Sequence, residues 1–260
     1  MRRALLLVAL AALSCRTMTF QDTGFLSRTI EIGGTTYPYV VWVPASFTPG
    51  RSWPVILFLH GAGERGNDGW RQTAVGLGAA IRSNPAWFDE AIVVMPQAPE
   101  GEAWLRAPAD AAMAALDRTL EELSGDPDRV YLTGLSLGGY GTWHLATAFP
   151  DRFAAIVPVC GGIVAPPTAR SVRDLPLVAG AADPYAAAAA AVPDVPIWIF
   201  HGARDGVIPA TESRRMAEAL EDAGRHVRYT EFPEAGHDAW DPAYRTAELW
   251  EWMFAQRRRD

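Results

Sequence analysis

Short apolar runs alternate along this chain with longer segments of helical periodicity. Continuous apolar runs without polar alternation are typical of strands that are covered on both faces of a sheet. They predict strands over residues 54–60, 91–95, 130–133, 154–159, 197–201 and 227–232. Apolar spacing of three and four predicts helices over residues 73–82, 108–123, 140–149, 211–223 and 244–256. Near the beginning, residues 26–32 and 35–43 flank Gly33-Gly34 and predict a hairpin.

This alternation of strands and helices predicts an α/β fold. The sheet is expected to be doubly wound and mostly parallel, with about eight strands and helices on both faces. Residues 26–260 show no internal repeat and no shift in composition, so they are expected to form one domain. The exception is the stretch 162–196, which is rich in alanine and proline. It can be read as a surface excursion with a short alanine helix or as a cap over a substrate cleft.

The first residues are typical of a segment that directs export. Met1-Arg-Arg is basic, and residues 4–13 form an apolar core that is too short to span a membrane. The Ser14-Cys15 junction resembles a bacterial lipoprotein signal, so residues 1–14 are expected to be removed and Cys15 lipidated. Cleavage by ordinary signal peptidase behind Ser14 stays open, because Ala12 departs from the usual leucine. Residues 15–25 would then be a tether, in an envelope or secreted protein that touches the membrane only through the lipid.

Charge and cysteine content exclude some functions. The formal net charge is −7, and the loss of Arg2 and Arg3 with the signal would make it more negative. An acidic domain without a basic stripe argues against nucleic acid as a partner. Cys15 and Cys160 are the only cysteines, too few for a cysteine-based zinc site. Cys160 follows an apolar run and is expected to be a small buried filler. Neither a metal nor an organic cofactor is expected.

The stretch with the clearest chemistry is Gly134-Leu-Ser-Leu-Gly138, which fits the pattern G-x-S-x-G. A predicted strand precedes it and a predicted helix follows it, which is the context of a nucleophile on a sharp turn. Such a turn places the serine in a strained backbone conformation, and the two glycines avoid steric clashes there. Ser136 is therefore predicted to be an exposed nucleophile at the carboxyl end of its strand.

A serine nucleophile needs a base, and the chain has five histidines. His237 lies in the loop after the last predicted strand, and the glycine before it allows an exposed imidazole. His144 is about two turns along the helix that leaves Ser136, hence remote from the hydroxyl. His60 and His201 each precede a glycine at a strand end and are expected to shape turns, while His226 begins a strand. His237 is the predicted base.

The acid that orients this base should lie between Ser136 and His237 in the chain order of such an architecture. Asp205 follows a buried strand and fits best; Asp183, in the alanine-rich stretch, is the alternative. In the predicted mechanism, His237 takes the proton of Ser136 and Asp205 fixes the imidazole tautomer. An acyl-enzyme forms and is then hydrolysed.

An oxyanion hole requires two backbone N–H groups. Leu137, directly after the nucleophile, is expected to supply one. The loop His60-Gly-Ala-Gly-Glu-Arg-Gly66 follows the apolar run of residues 55–59. It is expected to supply the second N–H group, from Ala62. Four aromatic residues are candidate walls of the acyl site, with ordinary packing as the alternative for each: Trp70, Trp104, Tyr140 and Trp240.

Four motifs together resemble a known group. They are His60-Gly-Ala-Gly-Glu-Arg-Gly66, the glycine-rich run from Gly134 to Trp143, His201-Gly-Ala-Arg-Asp205 and Gly236-His-Asp-Ala-Trp240. The chain is similar to secreted bacterial α/β-hydrolases of the carboxylesterase/"predicted peptidase" group. The relatives of this group include phospholipase/carboxylesterase, dienelactone hydrolase, feruloyl esterase and polyhydroxybutyrate depolymerase. The resemblance implies the α/β-hydrolase fold and the triad, but it says little about substrate.

The hypothesis is therefore a cofactor-free serine carboxylester hydrolase that acts on small or plant-polymer-linked esters of the feruloyl or acetyl type. A serine peptidase of the prolyl-oligopeptidase-like group and a polyester depolymerase are the alternatives among enzymes. The alternative that is not an enzyme is a lipoprotein with this fold that binds a ligand but has no catalytic activity.

Overall fold

The structure is a computed structural model that describes residues 23–169 and 171–258. The expected signal segment, the lipidation residue Cys15 and most of the expected tether lie outside the described residues. Within the part of the chain that is described, no helix has the length and apolar character needed to cross a membrane.

The described residues are organised around one sheet of eight strands. The strands are β1 (Gly24–Ile32), β2 (Thr35–Val43), β3 (Trp53–Leu59), β4 (Ile92–Pro96), β5 (Gly125–Leu135), β6 (Ala155–Val159), β7 (Ile197–Gly202) and β8 (Val227–Phe232). Their order is β1-β2-β4-β3-β5-β6-β7-β8. β2 pairs antiparallel with β1 and β4, and every other pair is parallel. The prediction of a mostly parallel sheet of about eight strands is confirmed.

In the described part of the chain, five α-helices lie between strands and two more follow β8. They are α1 (Leu77–Ser83), α2 (Ala107–Glu122), α3 (Leu137–Ala148), α4 (Pro184–Ala191), α5 (Thr211–Asp222), α6 (Trp240–Tyr244) and α7 (Ala247–Phe254). The expected helix over residues 73–82 begins only at Leu77, because Gly76 has φ of +57° and interrupts the backbone before it. The expected helix over residues 244–256 begins only at Ala247 and ends at Phe254, because Thr246 is extended and separates it from α6.

Alternate residues of the central strands point into two separate cores, one on each face of the sheet. Val55, Leu57 and Leu59 of β3 pack with α2, α3, α4 and α5. Ile56 and Phe58 pack on the other face with α1, α6 and α7. Because both faces are covered, the strands carry continuous apolar runs without alternation. Helices on both faces, as predicted, are therefore confirmed.

The path of the chain brings two loops together. The chain leaves β3, passes to β4 on one side, and returns to β5 on the other side of β3. Such a reversal leaves a crevice at the carboxyl ends of the strands, where ligands of open α/β sheets bind. The loop after β3 and the turn after β5 therefore lie side by side.

The alanine- and proline-rich stretch connects β6 to β7. It contains a short 3₁₀ turn at Pro176–Val178 and the helix α4. Its first part is closed on itself, since the Leu175 N–H donates to the Ile163 carbonyl at 2.9 Å, and it is tied to α3 by the Tyr140 hydroxyl, which donates to the Val164 carbonyl at 2.8 Å. The stretch includes the expected short alanine helix. It also contributes Arg173 and Pro176 to the wall of a cleft that Arg65 and Arg106 line as well.

Candidate active site

Ser136 stands on the sharp turn between β5 and α3. Its backbone has φ of +52° and ψ of −116°, a region that L-residues other than glycine rarely adopt. Strain of this kind costs about 1–3 kcal/mol and persists only where the surrounding structure enforces it. Gly138 shows how tight the turn is, because a Cβ atom there would lie 1.9 Å from the carbonyl oxygen of Leu59. Glycine at this position therefore lets α3 start directly against the end of β3.

Three predicted side chains meet in one hydrogen-bonded chain. His237 Nε2 lies 2.9 Å from Ser136 Oγ, and His237 Nδ1 lies 2.7 Å from Asp205 Oδ2. Because the carboxylate can only accept, Nδ1 carries the proton and Nε2 is left as the acceptor for the serine hydroxyl. Ser136 follows β5, Asp205 follows β7 and His237 follows β8, so all three side chains come from the carboxyl ends of parallel strands. This tautomer is the one that a general base needs.

The carboxylate of Asp205 is buried and fully engaged. The N–H groups of Val207 and Ile208 donate to Oδ1 at 2.8 and 2.9 Å. His201 Nε2 lies 3.2 Å from Oδ2, the oxygen that also faces His237. Burial acts to raise the pKa of Asp205, but hydrogen bonds from His201, His237 and Ile208 outweigh it and hold the pKa well below its usual range. Asp205 therefore stays charged while it faces His237.

His201 is a partner of this site that the sequence argument treated only as a turn residue. Its Nε2 faces two acceptors, Asp205 Oδ2 and the Ile208 carbonyl at 2.9 Å, so Nε2 carries the proton. Its Nδ1 then accepts from the Ser213 hydroxyl at 2.7 Å. The His201 imidazole therefore holds the loop that carries Asp205 in place. The only signal in the sequence was its position four residues before Asp205.

His60 arranges the loop after β3, which the sequence predicts to be an oxyanion loop. Its Nδ1 lies 2.6 Å from the Gly61 carbonyl oxygen, and its Nε2 accepts from the Ala98 N–H at 3.0 Å. Nδ1 must therefore carry the proton. The carbonyl of Gly61 and the N–H of Ala62 belong to the same planar trans peptide and point in opposite directions. The bond from His60 thus turns the Ala62 N–H away from the imidazole.

Other contacts hold the same loop. Trp104 Nε1 donates to the His60 carbonyl at 3.0 Å, and Arg65 Nε donates to the Ala62 carbonyl at 3.0 Å. Leu137 occupies the first position of α3, where a helix offers no acceptor to the backbone N–H. The N–H groups of Ala62 and Leu137 thus belong to the two neighbouring turns that flank Ser136.

Two of the four aromatic candidates are packed, although both line a narrow cavity beside Leu137. Trp104 is only 1% exposed and its indole N–H is taken by the oxyanion loop. Tyr140 is 3% exposed and its hydroxyl donates to the Val164 carbonyl at 2.8 Å. Both rings are packed and their polar atoms are already bonded, and the expectation that their faces bind substrate stays a prediction. Their role is to support the loops around the nucleophile.

The other two aromatic candidates are accessible. Trp240 is partly buried and meets the His237 ring edge-on, with 5.4 Å between the ring centroids. Trp70 is 45% exposed and lies beyond the loop after β3. Trp240 therefore borders the catalytic histidine candidate, whereas no contact joins Trp70 to Ser136 or His237.

The alternative acid, Asp183, lies elsewhere and has another role. Its carboxylate accepts from the N–H groups of Tyr185 and Ala186 at 3.0 and 3.2 Å, which makes it the N-cap of α4. Cys160 is buried, as expected, and burial raises the pKa of its thiol well above the usual value. Its sulfur lies within 4.8 Å of ligand atoms of Asp205 and His237. Those atoms already take part in the chain to Ser136, so the cluster is accounted for by this site.

Comparison with known proteins identifies the family. Residues 90–245, more than half of the chain, match the dienelactone hydrolase family. The chain belongs to the dienelactone hydrolase family. The match begins before β4 and ends just after α6, so it includes Ser136, Asp205 and His237.

Individual relatives of this family member are hydrolases of more than one kind. The crystal structure of a thermostable esterase superposes with a TM-score of 0.75 at 33% identity, over 90% of this chain and 63% of that one. Dipeptidyl-peptidase 5 of Aspergillus fumigatus is 26% identical over 75% of this chain. A probable carboxylesterase of Oryza sativa subsp. japonica is 24% identical over 75% of this chain and 86% of its own length. The chain spans only 30% of the length of the dipeptidyl-peptidase.

These findings confirm the α/β-hydrolase fold and the resemblance to the esterase group. They show the family and the fold of this chain, and its activity is treated as a proposal below. These relatives do not determine the substrate of this chain, because one is named a peptidase and another a probable carboxylesterase.

Proposed function

We propose that this dienelactone hydrolase family member is a serine carboxylester hydrolase that acts through an acyl-enzyme on small or polymer-linked esters. The observation that carries the proposal is the hydrogen-bonded chain from Ser136 through His237 to Asp205. The strained backbone of Ser136 supports it, because strain of this kind is concentrated at functional sites.

In the first half of the proposed reaction, Ser136 Oγ attacks the ester carbonyl carbon while its proton passes to His237 Nε2. The carbonyl π electrons move to oxygen, and the N–H groups of Ala62 and Leu137 donate to the resulting oxyanion. The tetrahedral intermediate then collapses. The bond to the alcohol oxygen breaks, His237 returns its proton to that oxygen, and an acyl group remains on Ser136.

In the second half, water takes the place of the serine hydroxyl. His237 accepts a proton from water as the water oxygen attacks the acyl carbon. Collapse of the second intermediate breaks the bond to Ser136 Oγ, which regains a proton from His237, and the carboxylic acid leaves. Asp205 holds the imidazole and stabilises its positive charge in both halves, which its low pKa permits.

The environment of the nucleophile supports an ester over an amide. Amide hydrolysis needs an efficient acid for a poor nitrogen leaving group and firm placement of an extended peptide. His237 can supply the proton, but the residues next to Ser136 are mainly glycine, alanine and leucine and provide few directional bonds for a peptide backbone. The similarity to dipeptidyl-peptidase 5 nevertheless makes a peptidase the second candidate.

The test uses covalent labelling and matched substrates. A fluorophosphonate probe should add to the wild-type protein with the mass of one adduct, and peptide mapping should place it on Ser136. Ser136→Ala should abolish the adduct, while Ser52→Ala, which alters an exposed serine before β3, should keep it. Labelling that persists in Ser136→Ala would refute the assignment of the nucleophile.

Matched ester and amide substrates with the same acyl group then decide between the two candidates. We expect kcat/KM for the ester to exceed that for the amide by on the order of 10³, which corresponds to about 4 kcal/mol of transition-state stabilisation. Comparable values on the two substrates would assign the site to a peptidase.

A further inference from the structure

His201 shares the carboxylate of Asp205 with His237. It is fully buried near the end of β7, four residues before Asp205. Its Nε2 lies 3.2 Å from Asp205 Oδ2, the same oxygen that faces His237 Nδ1 at 2.7 Å. One carboxylate oxygen therefore lies between two imidazoles, and it is His237 that reaches the nucleophile, with 2.9 Å from Nε2 to Ser136 Oγ.

The proton on His201 Nε2 is divided between two acceptors. The Ile208 carbonyl lies at 2.9 Å and Asp205 Oδ2 at 3.2 Å, so the carboxylate receives the longer branch of a three-centre hydrogen bond. The Ser213 hydroxyl of α5 lies 2.7 Å from Nδ1 and donates to it, which keeps the proton on Nε2. The second donor to Asp205 therefore depends on the tautomer that Ser213 fixes.

This second donor changes how strongly Asp205 can stabilise a positive charge on His237. Hydrogen bonds to a carboxylate favour its charged form and spread its negative charge. Burial acts to raise the pKa of Asp205, but the hydrogen bonds from His201 and His237 hold it well below its usual range. With His201 in place, less of that charge is concentrated on the side that faces His237. The imidazole of His237 can therefore act as a base in more acidic solution than it could beside Asp205 alone.

Other ionisable groups surround the same carboxylate. Burial raises the pKa of the Cys160 thiol and of the Tyr140 hydroxyl, so both keep their protons. Glu231 lies opposite on β8, and its hydrogen bonds from Arg214 lower its pKa, so it stays charged. Glu212 on α5 differs from these, because burial raises the pKa of its carboxyl group. A variant of Glu212 is therefore needed as a control in any experiment that varies the pH.

We propose that His201 is a positioning residue for the proposed reaction: it holds the Asp205 carboxylate for His237 and extends the reactivity of Ser136 to lower pH. The proposal rests on the proposed function, because His237 must be the base. A residue that only fills the core would show no dependence on which of its ring nitrogens is replaced. A positioning residue depends on Nε2, which is the nitrogen that faces Asp205.

Two amide variants separate the two ring nitrogens. In His201→Gln, the amide nitrogen can take the place of Nε2, and its two N–H groups can donate to Asp205 and to the Ile208 carbonyl. In His201→Asn, the shorter amide takes the place of Nδ1 and can bond only to Ser213. Both variants remove the ring and leave an amide in the core. They differ in whether Asp205 Oδ2 keeps its second donor.

The assay is the rate at which a fluorophosphonate probe labels Ser136 between pH 5 and pH 9. Labelling requires the nucleophile and its base, but it does not depend on whether the natural substrate is an ester or an amide. His201→Asn should be labelled about ten-fold more slowly than the wild type at the plateau, as expected for a lost hydrogen bond to a charged group. Its acidic limb should move to higher pH by about 0.5–1 unit. His201→Gln should stay within about two-fold of the wild type, with its acidic limb unchanged.

Two control variants and a kinetic measurement separate this role from a loss of packing. Glu212→Gln removes the buried carboxyl group on α5, and His226→Gln removes an exposed histidine; both should keep the wild-type limb. On an ester, His201→Asn should lower kcat and leave KM nearly unchanged, because both halves of the reaction use His237 and slow together. Melting temperatures should show that every variant is folded at the temperature of the assay.

The tautomer can also be measured in the wild type, which covers the case in which His201→Asn does not fold. Imidazole nitrogen spectra at pH 8 should show the proton of His201 on Nε2, with Nδ1 as the acceptor from Ser213. A proton on Nδ1 would overturn the proposal, because Asp205 would then receive no hydrogen bond from His201.

The outcomes separate the two proposals. Equal plateaus and equal limbs in the two amide variants, or a limb that moves to lower pH in His201→Asn, would overturn the role of His201 and leave the esterase proposal standing. The expected labelling pattern without turnover of any ester would support His201 and overturn the esterase proposal. An absence of labelling in the wild type would overturn both.

Discussion

Buried His60 should make the stability of this protein depend on pH in a defined window. Burial lowers the pKa of His60 from 6.5 to about 4 in the folded state, and the nearby charge of Arg65 acts in the same direction. In the unfolded chain the imidazole takes up a proton near pH 6.5. Between these two values the unfolded state binds more protons, so the free energy of unfolding falls as the pH falls from about 6.5 to about 4.

The magnitude follows from the two pKa values. Their difference corresponds to about 3 kcal/mol in total, of which about 2 kcal/mol is lost between pH 7 and pH 5. His60→Gln removes the titrating group. A glutamine oxygen can still accept from the Ala98 N–H, but the Gly61 carbonyl loses its donor, at a cost of about 1–3 kcal/mol at pH 7.

The assay is urea unfolding at pH 7, 6 and 5, followed by tryptophan fluorescence. The wild type should lose about 2 kcal/mol more than His60→Gln over this range. His226→Gln is the matched control, because it removes an exposed histidine, and it should lose as much stability as the wild type. Parallel losses in the wild type and His60→Gln would show that His60 is not neutral in the folded state, and the reasoning about its tautomer would fail.

Three further predictions concern the catalytic group and the first residues. Ser136→Ala should lower kcat/KM on esters by on the order of 10⁴-fold with an unchanged melting temperature, and a near-wild-type rate in the purified variant would contradict this. Asp205→Asn should lower kcat far more than Asp183→Asn, which keeps a side-chain oxygen for the α4 cap and should leave both rate and stability nearly unchanged; the reverse order of rates would move the acid to Asp183. Expressed in a bacterial host, the chain should be recovered in the envelope with lipid on Cys15, and mass spectrometry that finds an unmodified Met1 on the mature protein would exclude this.

The sequence predicts the centre of this site well because its signals are local. The strand, sharp turn and helix around Ser136 follow from apolar runs and the two glycines that the turn requires. Asp205 and His237 follow because active-site residues of a parallel sheet stand at strand ends. Each of these three positions depends on short segments and on chain order.

The support of the site could not be predicted, because it depends on contacts between distant segments. Trp104 and Tyr140 carry no local sign of whether a ring will face solvent or be packed, and both are packed. His60 and His201 were expected to shape turns. Their actual hydrogen bonds, to Ala98 and to Ser213, involve residues that lie 38 and 12 positions away in the chain. A cleft lined by Arg65, Arg106 and Arg173 likewise combines residues that are remote in sequence.

The hydrogen bond from Tyr140 to Val164 has a consequence for how this protein can diversify. It ties the first part of the stretch between β6 and β7 to α3, the helix that follows Ser136. The stretch supplies Arg173 to the wall of a cleft that Arg65 and Arg106 also line, but no member of the hydrogen-bonded chain from Ser136 to Asp205. Selection acting on residues 165–196 can therefore alter which molecules are accepted while the reacting atoms stay where they are. Libraries that exchange only this segment, and keep Tyr140 and Val164, should therefore yield variants with a changed substrate range. The hydrogen-bonded group of Ser136, His237 and Asp205 should stay intact in these variants.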